Sequence, residues 1–457
     1  MSNPYLYAKQ AAGVLVMLLL STSAAIASKE TDSLRKQLQE MKLQMQRIQN
    51  TYEQQIKALE KRLDGLESEQ SRPATVARLP AAPRSAQQTN RSSDFQIGLT
   101  GLLSAGGSSV DNASLEGLQS GGHDPNKNGF TLQNLELSMG GTVGPYFDAQ
   151  ANLIFLIDAE GETVVELEEA FFTTRSLPHG LQLKGGQYFT EFGRQNKQHP
   201  HTWSFVDQPV ILSRFFGGDG LRSQGVRASW LLPTEWYSEL YLGMQNPKGE
   251  TVTSFLNAPG EDIGGHTLID RSVRNFDDLL YSVRWLNGID VSDTVSMNLG
   301  FSGLYGPNAS GTTTDTRIIG ADLYLKWQAA QSQRGFPFVS WHTEILDRRY
   351  EAGDPGDSSR ETLNDWGMFT QALWGFKPGW VAGLRAEYAK ADGNTSSDPL
   401  RDTRKRLSPN LTWYPNEYSK VRLQYNRDWT EHLADETADS VWLQFEYNLG
   451  SHAAHVF

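Results

Sequence analysis

The chain of 457 residues carries 41 basic and 53 acidic side chains, a formal net charge of −12, and no cysteine. Zero cysteine excludes a disulfide scaffold, a thiolate zinc site and a cysteine nucleophile. The acidic balance argues against nucleic acid as the main partner, because phosphate binding needs a basic face. The composition, with 42 glycines, 12 Trp, 16 Tyr and 20 Phe, fits a soluble all-β protein or a transmembrane β-barrel, whose wall alternates apolar and polar residues.

Residues 1–27 are predicted to be a signal peptide. Lys9 precedes the apolar stretch 11–20, and Ala25-Ile26-Ala27 forms an A-x-A cleavage site. The alternative, an uncleaved membrane anchor, is less favoured because the apolar stretch is short for a bilayer span of about 20 residues. The mature chain is therefore expected to be exported.

Residues 28–67 are predicted to form an α-helical coiled coil. Apolar residues recur at steps of three or four, with one stutter near Tyr52. They are Leu38, Met41, Met45, Ile48, Tyr52, Ile56, Leu59, Leu63 and Leu66. An apolar stripe this narrow predicts that the helix oligomerises, and a homotrimer would match the barrel predicted below. The alternative is a solitary polar helix. Residues 68–93, rich in Pro, Ala and Ser, are expected to be a linker.

Residues 94–457 are predicted to be all-β, because runs of 10 to 13 residues with period-two alternation recur between turn residues. In the clearest run, Val441, Leu443 and Phe445 alternate with Gln444 and other inward-facing positions. Sixteen runs are found. They start near Phe95, Phe130, Tyr146, Thr163, Leu181, Leu221, Trp236, Asp278, Asp293, Asp315, Phe336, Glu361, Gly379, Arg404, Tyr418 and Thr437.

The connections between these runs alternate between short turns and mostly longer polar loops. That alternation is typical of bacterial outer-membrane barrels, whereas a soluble sandwich or propeller does not require it. The fold class is therefore a 16-stranded antiparallel transmembrane β-barrel preceded by an N-terminal α-helical coiled coil. An even strand number places both barrel ends on the short-turn side, which puts the coiled coil in the periplasm. The aromatic last residue, Phe457, agrees with this class.

This layout, with Gly185-Gly186-Gln187-Tyr188-Phe189 and the ending Leu443-Gln444-Phe445-Glu446-Tyr447, resembles the family of phosphate-selective porins O and P. The resemblance implies trimers of water-filled, anion-selective channels. Phosphate specificity is not carried over, because the presumed lumen positions mix basic and acidic side chains. The basic ones are Lys184, Arg284, Lys326, Arg385, Lys420 and Arg422.

The connection 191–220 is the candidate constriction loop, since a barrel of this size needs an inserted loop and charged side chains to be selective. The candidate pore residues are Arg194, Lys197, His199, His201, Asp207 and Arg214. Trp203, Phe205, Phe215 and Phe216 would pin the loop against the wall. The alternative is an external loop at a subunit contact. His199 and His201 lack a third ligand along the chain, so no metal site and no cofactor are predicted.

Two charged patterns leave alternatives open. Lys420 and Arg422 share a strand face beside Glu446, where they could form an ion path or a cross-strand salt bridge. An acidic run could favour cations or could be a hydrated face. It consists of Glu162, Glu166, Glu168 and Glu169.

Two motif matches fail on their chemistry. Asp124 opens the first half of a calcium loop, but Leu135 stands where a bidentate Glu is required, so an Asx-rich turn is expected. Ser340, His342 and Glu344 alternate on one strand face as any polar face does, so no catalytic residue is assigned.

The leading functional expectation is an outer-membrane porin for passive diffusion of small hydrophilic solutes or ions, with outer-membrane lipid and copies of itself as partners. It performs no reaction, and its lumen charges set the selectivity. The alternative is a structural protein whose coiled coil binds the cell wall or another partner while the barrel serves as an anchor. A third class, an outer-membrane enzyme, would require a concentrated polar site at the rim.

Overall fold

The computed structural model describes residues 95–119, 121–157, 161–353, 360–393, 395 and 397–450. The predicted signal peptide, coiled coil and linker, and the terminal Phe457, lie outside these residues. None of the helices in the described ranges combines the length and the apolar character needed to cross a lipid bilayer.

Sixteen strands in the described part of the chain form one closed antiparallel barrel, in which each strand pairs with its neighbours in the series and the first strand pairs with the last. The barrel strands are β1 (Gln96–Ser108), β2 (Gly129–Val143), β3 (Phe147–Ile157), β4 (Thr163–Thr174), β5 (Leu181–Phe189), β6 (Arg222–Leu231), β7 (Tyr237–Gln245), β10 (Leu280–Ser292), β11 (Val295–Pro307), β12 (Asp315–Gln333), β13 (Phe336–Gly353), β14 (Arg360–Lys377), β15 (Trp380–Ala391), β16 (Arg404–Asn416), β17 (Ser419–Thr430) and β18 (Thr437–Gly450). The predicted 16-stranded antiparallel barrel is confirmed, and every predicted start lies within two residues of an observed one.

The connections carry the remaining short elements. A two-stranded hairpin, β8 (Asp262–Ile263) and β9 (His266–Thr267), lies between β7 and β10, and two helices, α1 (Asn112–Leu118) and α2 (Val210–Phe216), lie in the loops after β1 and β5. Short 3-10 helices occupy Pro178–Gly180, Pro200–Thr202, Glu250–Val252, Phe276–Asp278 and Pro399–Arg401.

The two rims of the barrel differ in the length of their connections, as the sequence predicted. On one rim the connections span two residues (293–294, for example) to six (175–180), whereas the opposite rim carries the long connections 109–128, 190–221 and 246–279. Short turns on one side and long loops on the other are characteristic of outer-membrane barrels.

The outer face of the wall is apolar and the inner face is polar, because successive side chains of a strand point to opposite sides. In β18, Val441, Leu443 and Phe445 are exposed, whereas Gln444 and Glu446, which alternate with them, are buried inside the barrel. A contiguous apolar outer surface of this kind is costly in water and stable against lipid.

The interior of the barrel contains an apolar core as well as charges. Residues 190–221, called the inward segment below, contribute Phe192, Ile211, Phe215 and Phe216 to this core. The wall contributes inward-facing side chains from six strands. They are Leu280, Leu304, Ile318, Leu346, Phe369 and Ala389. The inward segment therefore folds into the barrel and packs there as a protein core does.

Candidate functional site

The inward segment enters and leaves the barrel through a closed stem. The Thr190 amide donates to the Leu221 carbonyl at 2.9 Å. Asn196 fastens the stem by donating to the carbonyls of Thr190 (2.9 Å) and Leu221 (3.1 Å) and accepting from the Leu221 amide (2.8 Å). The 30 or so residues between the ends therefore form a compact loop and not an open strand.

Glu344 on β13 holds the first turn of the segment. Its Oε1 accepts the amides of Arg194 and Gln195, both at 2.7 Å. Gly193 approaches so closely that a Cβ there would collide with the Glu344 carboxylate, and its φ of +57° also favours glycine. His342 Nε2 lies 2.9 Å from the same Oε1. Two of the three polar residues that alternate on this strand, His342 and Glu344, therefore contact each other where the segment is held.

Asp207 is the most densely bonded residue of the segment, and it is 1% exposed. Arg385 and Arg406 (3.1 Å) form ion pairs with its carboxylate. Gln424 (3.0 Å) and Asn426 (2.7 Å) donate to it as well. Charge-assisted bonds in a buried site are the stronger class of hydrogen bond, so Asp207 ties the segment to β15, β16 and β17 and does not border an opening.

Helix α2 buries its apolar side chains and is fixed at both ends by polar contacts. The Val210 amide at its start donates to Glu387 Oε2 at 2.7 Å. Near its end, Arg214 donates to the carbonyls of Arg401 (3.3 Å) and Asp402 (2.9 Å). Arg214 therefore links the inward segment to the connection before β16.

Four of the six predicted lumen cations are sealed beneath the inward segment. Arg284 pairs with Asp322 at 2.7 Å, Lys420 pairs with Glu446 at 2.5 Å, and Arg385 pairs with Asp207 and Glu387. Arg422 donates to the Trp203 carbonyl at 2.8 Å and to Gln444 at 3.0 Å. Of the two alternatives for Lys420, this geometry is that of a cross-strand salt bridge.

The other two predicted lumen cations, and two cations of the segment, keep contact with water. Lys197 is exposed, with 39% of its side chain accessible, and lies 3.2 Å from Glu191. Arg194 is half-buried with its guanidinium 3.9 Å above the Tyr324 ring, and Lys184 is half-buried 4.3 Å above the Phe171 ring. Lys326 is half-buried on β12. Asp219 of the segment (29% of its side chain accessible) and Glu166 of β4 (27%) also reach water, so the accessible charges near the segment are of both signs.

A cluster of three glutamates and two histidines, called the carboxylate–histidine cluster, joins the segment to β2 and β4. His199 Nδ1 lies 2.7 Å from Glu168 and 3.5 Å from Glu136, and His199 Nε2 lies 3.1 Å from Glu169. His201 Nδ1 lies 2.9 Å from Glu136. Burial alone would lower the pKa of His199, but Glu168 and Glu136 outweigh it and raise that pKa well above its usual value.

A β-bulge in β4 explains why two consecutive glutamates enter this cluster. Asn152 of β3 pairs with Glu169 and Leu153 pairs with Leu167, so Glu168 is the extra residue. A bulge breaks the period of two, and both Glu168 and Glu169 are buried as a result. The sequence shows the acidic run but not the bulge. Glu136 is 63 positions from His199, so the sequence does not indicate that these two side chains meet.

Asp124 anchors the loop before β2 against the segment, in a turn and not in a calcium loop. Its carboxylate accepts the amides of Gly121 (3.0 Å) and Gln208 (2.8 Å). Burial, with a contribution from the charge of Asp207, raises the pKa of Asp124 to about 7.

Among proteins of known sequence, one from Aquifex aeolicus (strain VF5), described as an uncharacterized protein, is 30% identical over 362 residues, which cover 74% of this chain and 73% of its own length. The chain belongs to the family of that protein. No protein-family model matches the chain.

Similar solved structures include the outer membrane channel DcaP of Acinetobacter baumannii (10% identity, 78% of this chain and 97% of that chain, TM-score 0.49). Another is OprB of Pseudomonas putida (10% identity, 78% and 94%, TM-score 0.47). A third is OmpT, an outer membrane protein of Vibrio cholerae, in a loop-deletion form (9% identity, 78% and 99%, TM-score 0.44).

Proposed function

We propose that this protein is a channel of the bacterial outer membrane for passive diffusion of small hydrophilic solutes or ions, narrowed by the inward segment. Three features support it: the apolar outer wall, the long and short rims, and a loop bonded to the inner wall by its own backbone. In a barrel of this size, the inserted loop and the charges beside it set which solutes pass.

The charges that remain accessible support a preference for anions at the narrowing. Lys197 and Arg194 on the segment, with Lys184 and Lys326 on the wall, keep contact with water, whereas Arg284, Arg385, Lys420 and Arg422 are buried in ion pairs or hydrogen bonds. Charges lining a low-dielectric passage concentrate ions of the opposite sign. The accessible cations on the segment and on the wall beside it are the observation that carries the proposal.

The deciding experiment is planar-bilayer conductance of the purified protein across a salt gradient. We expect stepwise currents, and a reversal potential whose sign shows that anions permeate more easily than cations. Replacing the exposed and half-buried cations (Arg194→Gln with Lys197→Gln) should move the reversal potential towards cations. Lys248→Gln is the matched control, because Lys248 is an exposed lysine paired with Asp270 in another loop, and it should leave the reversal potential unchanged.

A folded preparation without stepwise currents would contradict the channel proposal. An unchanged reversal potential in the Arg194→Gln, Lys197→Gln variant would contradict the selectivity proposal alone. Arg214 is omitted from this variant because its guanidinium is held by two backbone carbonyls.

The apolar core inside the barrel favours a second candidate. Phe215 and Phe216 pack against Leu346 and Phe369 of the wall as in a soluble protein, and a barrel filled this way could serve as an anchor for a periplasmic tether. In this candidate, residues 28–67 bind the cell wall or a partner and assemble the chain as a homotrimer. Deleting residues 28–93 separates the two proposals, because a channel keeps its conductance whereas a tether loses its effect on envelope integrity.

A further inference from the structure

The carboxylate–histidine cluster presents three ligand atoms to one point inside the barrel. Glu136 of β2, Glu168 of β4 and His199 of the inward segment each offer one atom, and these atoms lie within 4.8 Å of one another. Within the described residues, they are the group of metal-ligating side chains close enough to share an ion. Glu136 and Glu168 are both buried.

The hydrogen bonds of His199 determine which ring nitrogen faces the two glutamates. Nε2 lies 3.1 Å from Glu169 Oε2. Asn152 Nδ2 also lies 3.3 Å from this nitrogen. When the ring donates from Nε2 to Glu169, a bound ion can take the place of a proton on Nδ1 between Glu168 and Glu136, because a ligating histidine must be neutral. In metal sites, a ligating histidine commonly donates its other ring N–H to a carboxylate. Here Glu169 would accept from Nε2, while Nδ1 faces the other two glutamates.

Three inner atoms of the cluster make no hydrogen bond, whereas the Glu136 carboxylate contacts Ser138 and His201. His199 Nδ1 and both carboxylate oxygens of Glu168 are buried without a hydrogen-bond partner, although Nδ1 lies 2.7 Å from Glu168 Oε2. The approach therefore lacks the direction of an N–H···O bond. Buried polar atoms are rarely left unsatisfied, and a cation among them would satisfy all three.

The space beside Glu168 is small, and Phe189, Pro200 and Trp203 line it together with polar side chains. A cavity of about 10 Å³ is lined by Glu168, His123 and Asp219 among others. His123 Nδ1 lies 3.2 Å from the Gln133 carbonyl, which fixes the proton on Nδ1, and His123 Nε2 and Asp219 Oδ1 are buried without a hydrogen-bond partner. A cavity of this size holds about one water, which could complete the coordination of an ion held by Glu168.

We propose that Glu136, Glu168 and His199 bind a divalent first-row transition-metal ion of the Zn²⁺ class, and that this ion fastens the inward segment to β2 and β4. Imidazole with carboxylates suits Zn²⁺ and its neighbours, whereas Mg²⁺ and Ca²⁺ prefer oxygen ligands alone. With metal–ligand bonds of about 2.0–2.1 Å, tetrahedral ligands are about 3.3 Å apart. The 3.5 Å separation of Nδ1 and Glu136 fits this spacing, and a small rotation of the Glu168 carboxylate opens the 2.7 Å contact.

The test uses the full-length protein in detergent without a histidine tag. The sample is loaded with Zn²⁺, dialysed against metal-free buffer and assayed for metal and protein. One Zn²⁺ per chain is expected to remain, and excess Mg²⁺ or Ca²⁺ should not displace it. Co²⁺ loaded in its place should give a visible absorption spectrum of low-symmetry coordination, which Zn²⁺ abolishes.

Glu168→Gln and His199→Gln should lose the retained ion, because each removes a ligand while keeping the side-chain size. Glu169→Gln should weaken binding about 10–100-fold, the effect expected when a carboxylate that orients a ligating histidine is neutralised. His266→Gln is the matched control. His266 is also a histidine within 2.7 Å of a glutamate, Glu361, and its loss should leave the retained Zn²⁺ unchanged.

Wild-type protein that retains no Zn²⁺ would overturn the proposal and would leave His199 as an imidazolium bridging the glutamates. Retention by Glu168→Gln and His199→Gln at the wild-type level would also overturn it, because the ion would then lie elsewhere. Folding of each variant is checked by the electrophoretic shift between unheated and heated samples. If both variants fail to fold, the Co²⁺ spectrum of the wild type with Zn²⁺ competition decides the question without them.

Discussion

The two sides of the inward segment use charged residues in opposite ways. On the side of β15–β17, Asp207 is enclosed by Arg385 and Arg406, and none of the three is more than 2% exposed. On the side of β5, Glu191 is buried but its partner Lys197 reaches water. A buried ion pair mainly fixes one arrangement of the chain, whereas an accessible charge acts on mobile ions. Burial, not residue type, therefore decides which of the predicted pore residues can influence permeation.

The largest effect is expected when the buried ion pairs of Asp207 are removed. Asp207→Asn breaks two buried ion pairs at once, although Arg385 keeps Glu387 and Arg406 keeps Asp428. Breaking a buried ion pair costs up to about 3–5 kcal/mol. The free energy of unfolding in urea should fall by about that amount, and single-channel currents should become larger and noisier as the segment detaches. Unchanged stability together with unchanged current would show that Asp207 does not anchor the segment.

An effect of at most similar size, spread over several pH units, is expected from the protonation of Asp124. Its pKa is raised from 3.8 to about 7 in the folded protein, so between those pH values the folded state binds more protons than the unfolded state. The free energy of unfolding should therefore fall as pH rises towards 7, by up to about 1.4 kcal/mol per pH unit, and level off above it.

Asp124→Asn provides the comparison for this pH dependence. The variant cannot ionise at this position, so the difference in unfolding free energy between it and the wild type should grow from pH 4 to pH 7 in favour of the variant. Urea unfolding at pH 5, 6, 7 and 8 measures the difference. A difference that does not depend on pH would mean that Asp124 titrates near its ordinary pKa in the folded protein.

The smallest effect is expected at an exposed ion pair. Lys248 and Asp270 are 2.8 Å apart with 45% and 70% of their side chains accessible, and such pairs contribute about 0–1 kcal/mol. Asp270→Asn should change the free energy of unfolding by less than about 1 kcal/mol, and less still at high salt. A loss as large as that of Asp207→Asn would contradict the contrast between buried and exposed pairs.

The strands could be predicted from the sequence because their signal is local. Alternation within β18 or β17 depends on residues two positions apart, and the turn residues that bound them are equally close in sequence. The starts of β4, β5, β12, β13, β16 and β18 coincide with the predicted positions.

The interior could not be predicted in the same way because its contacts join distant parts of the chain. Arg385 lies 178 positions from Asp207, and Lys420 lies 219 positions from His201, to whose carbonyl it donates. The list of charged residues in the loop after β5 was available from the sequence. Which of them face water, as Lys197 does, and which are enclosed, as Asp207 is, depends on how the segment docks.

The pairing of β1 with β18 has a consequence for the order of assembly. This seam joins Gly98 to Gly450, the longest chain closure in the barrel, and contacts between distant residues form late because the closing of long loops costs entropy. The inward segment bonds to strands on many sides, from Glu136 on β2 to Gln424 on β17. We therefore expect the inward segment to dock before β1 pairs with β18. Closure of the barrel and packing of its interior would then occur together.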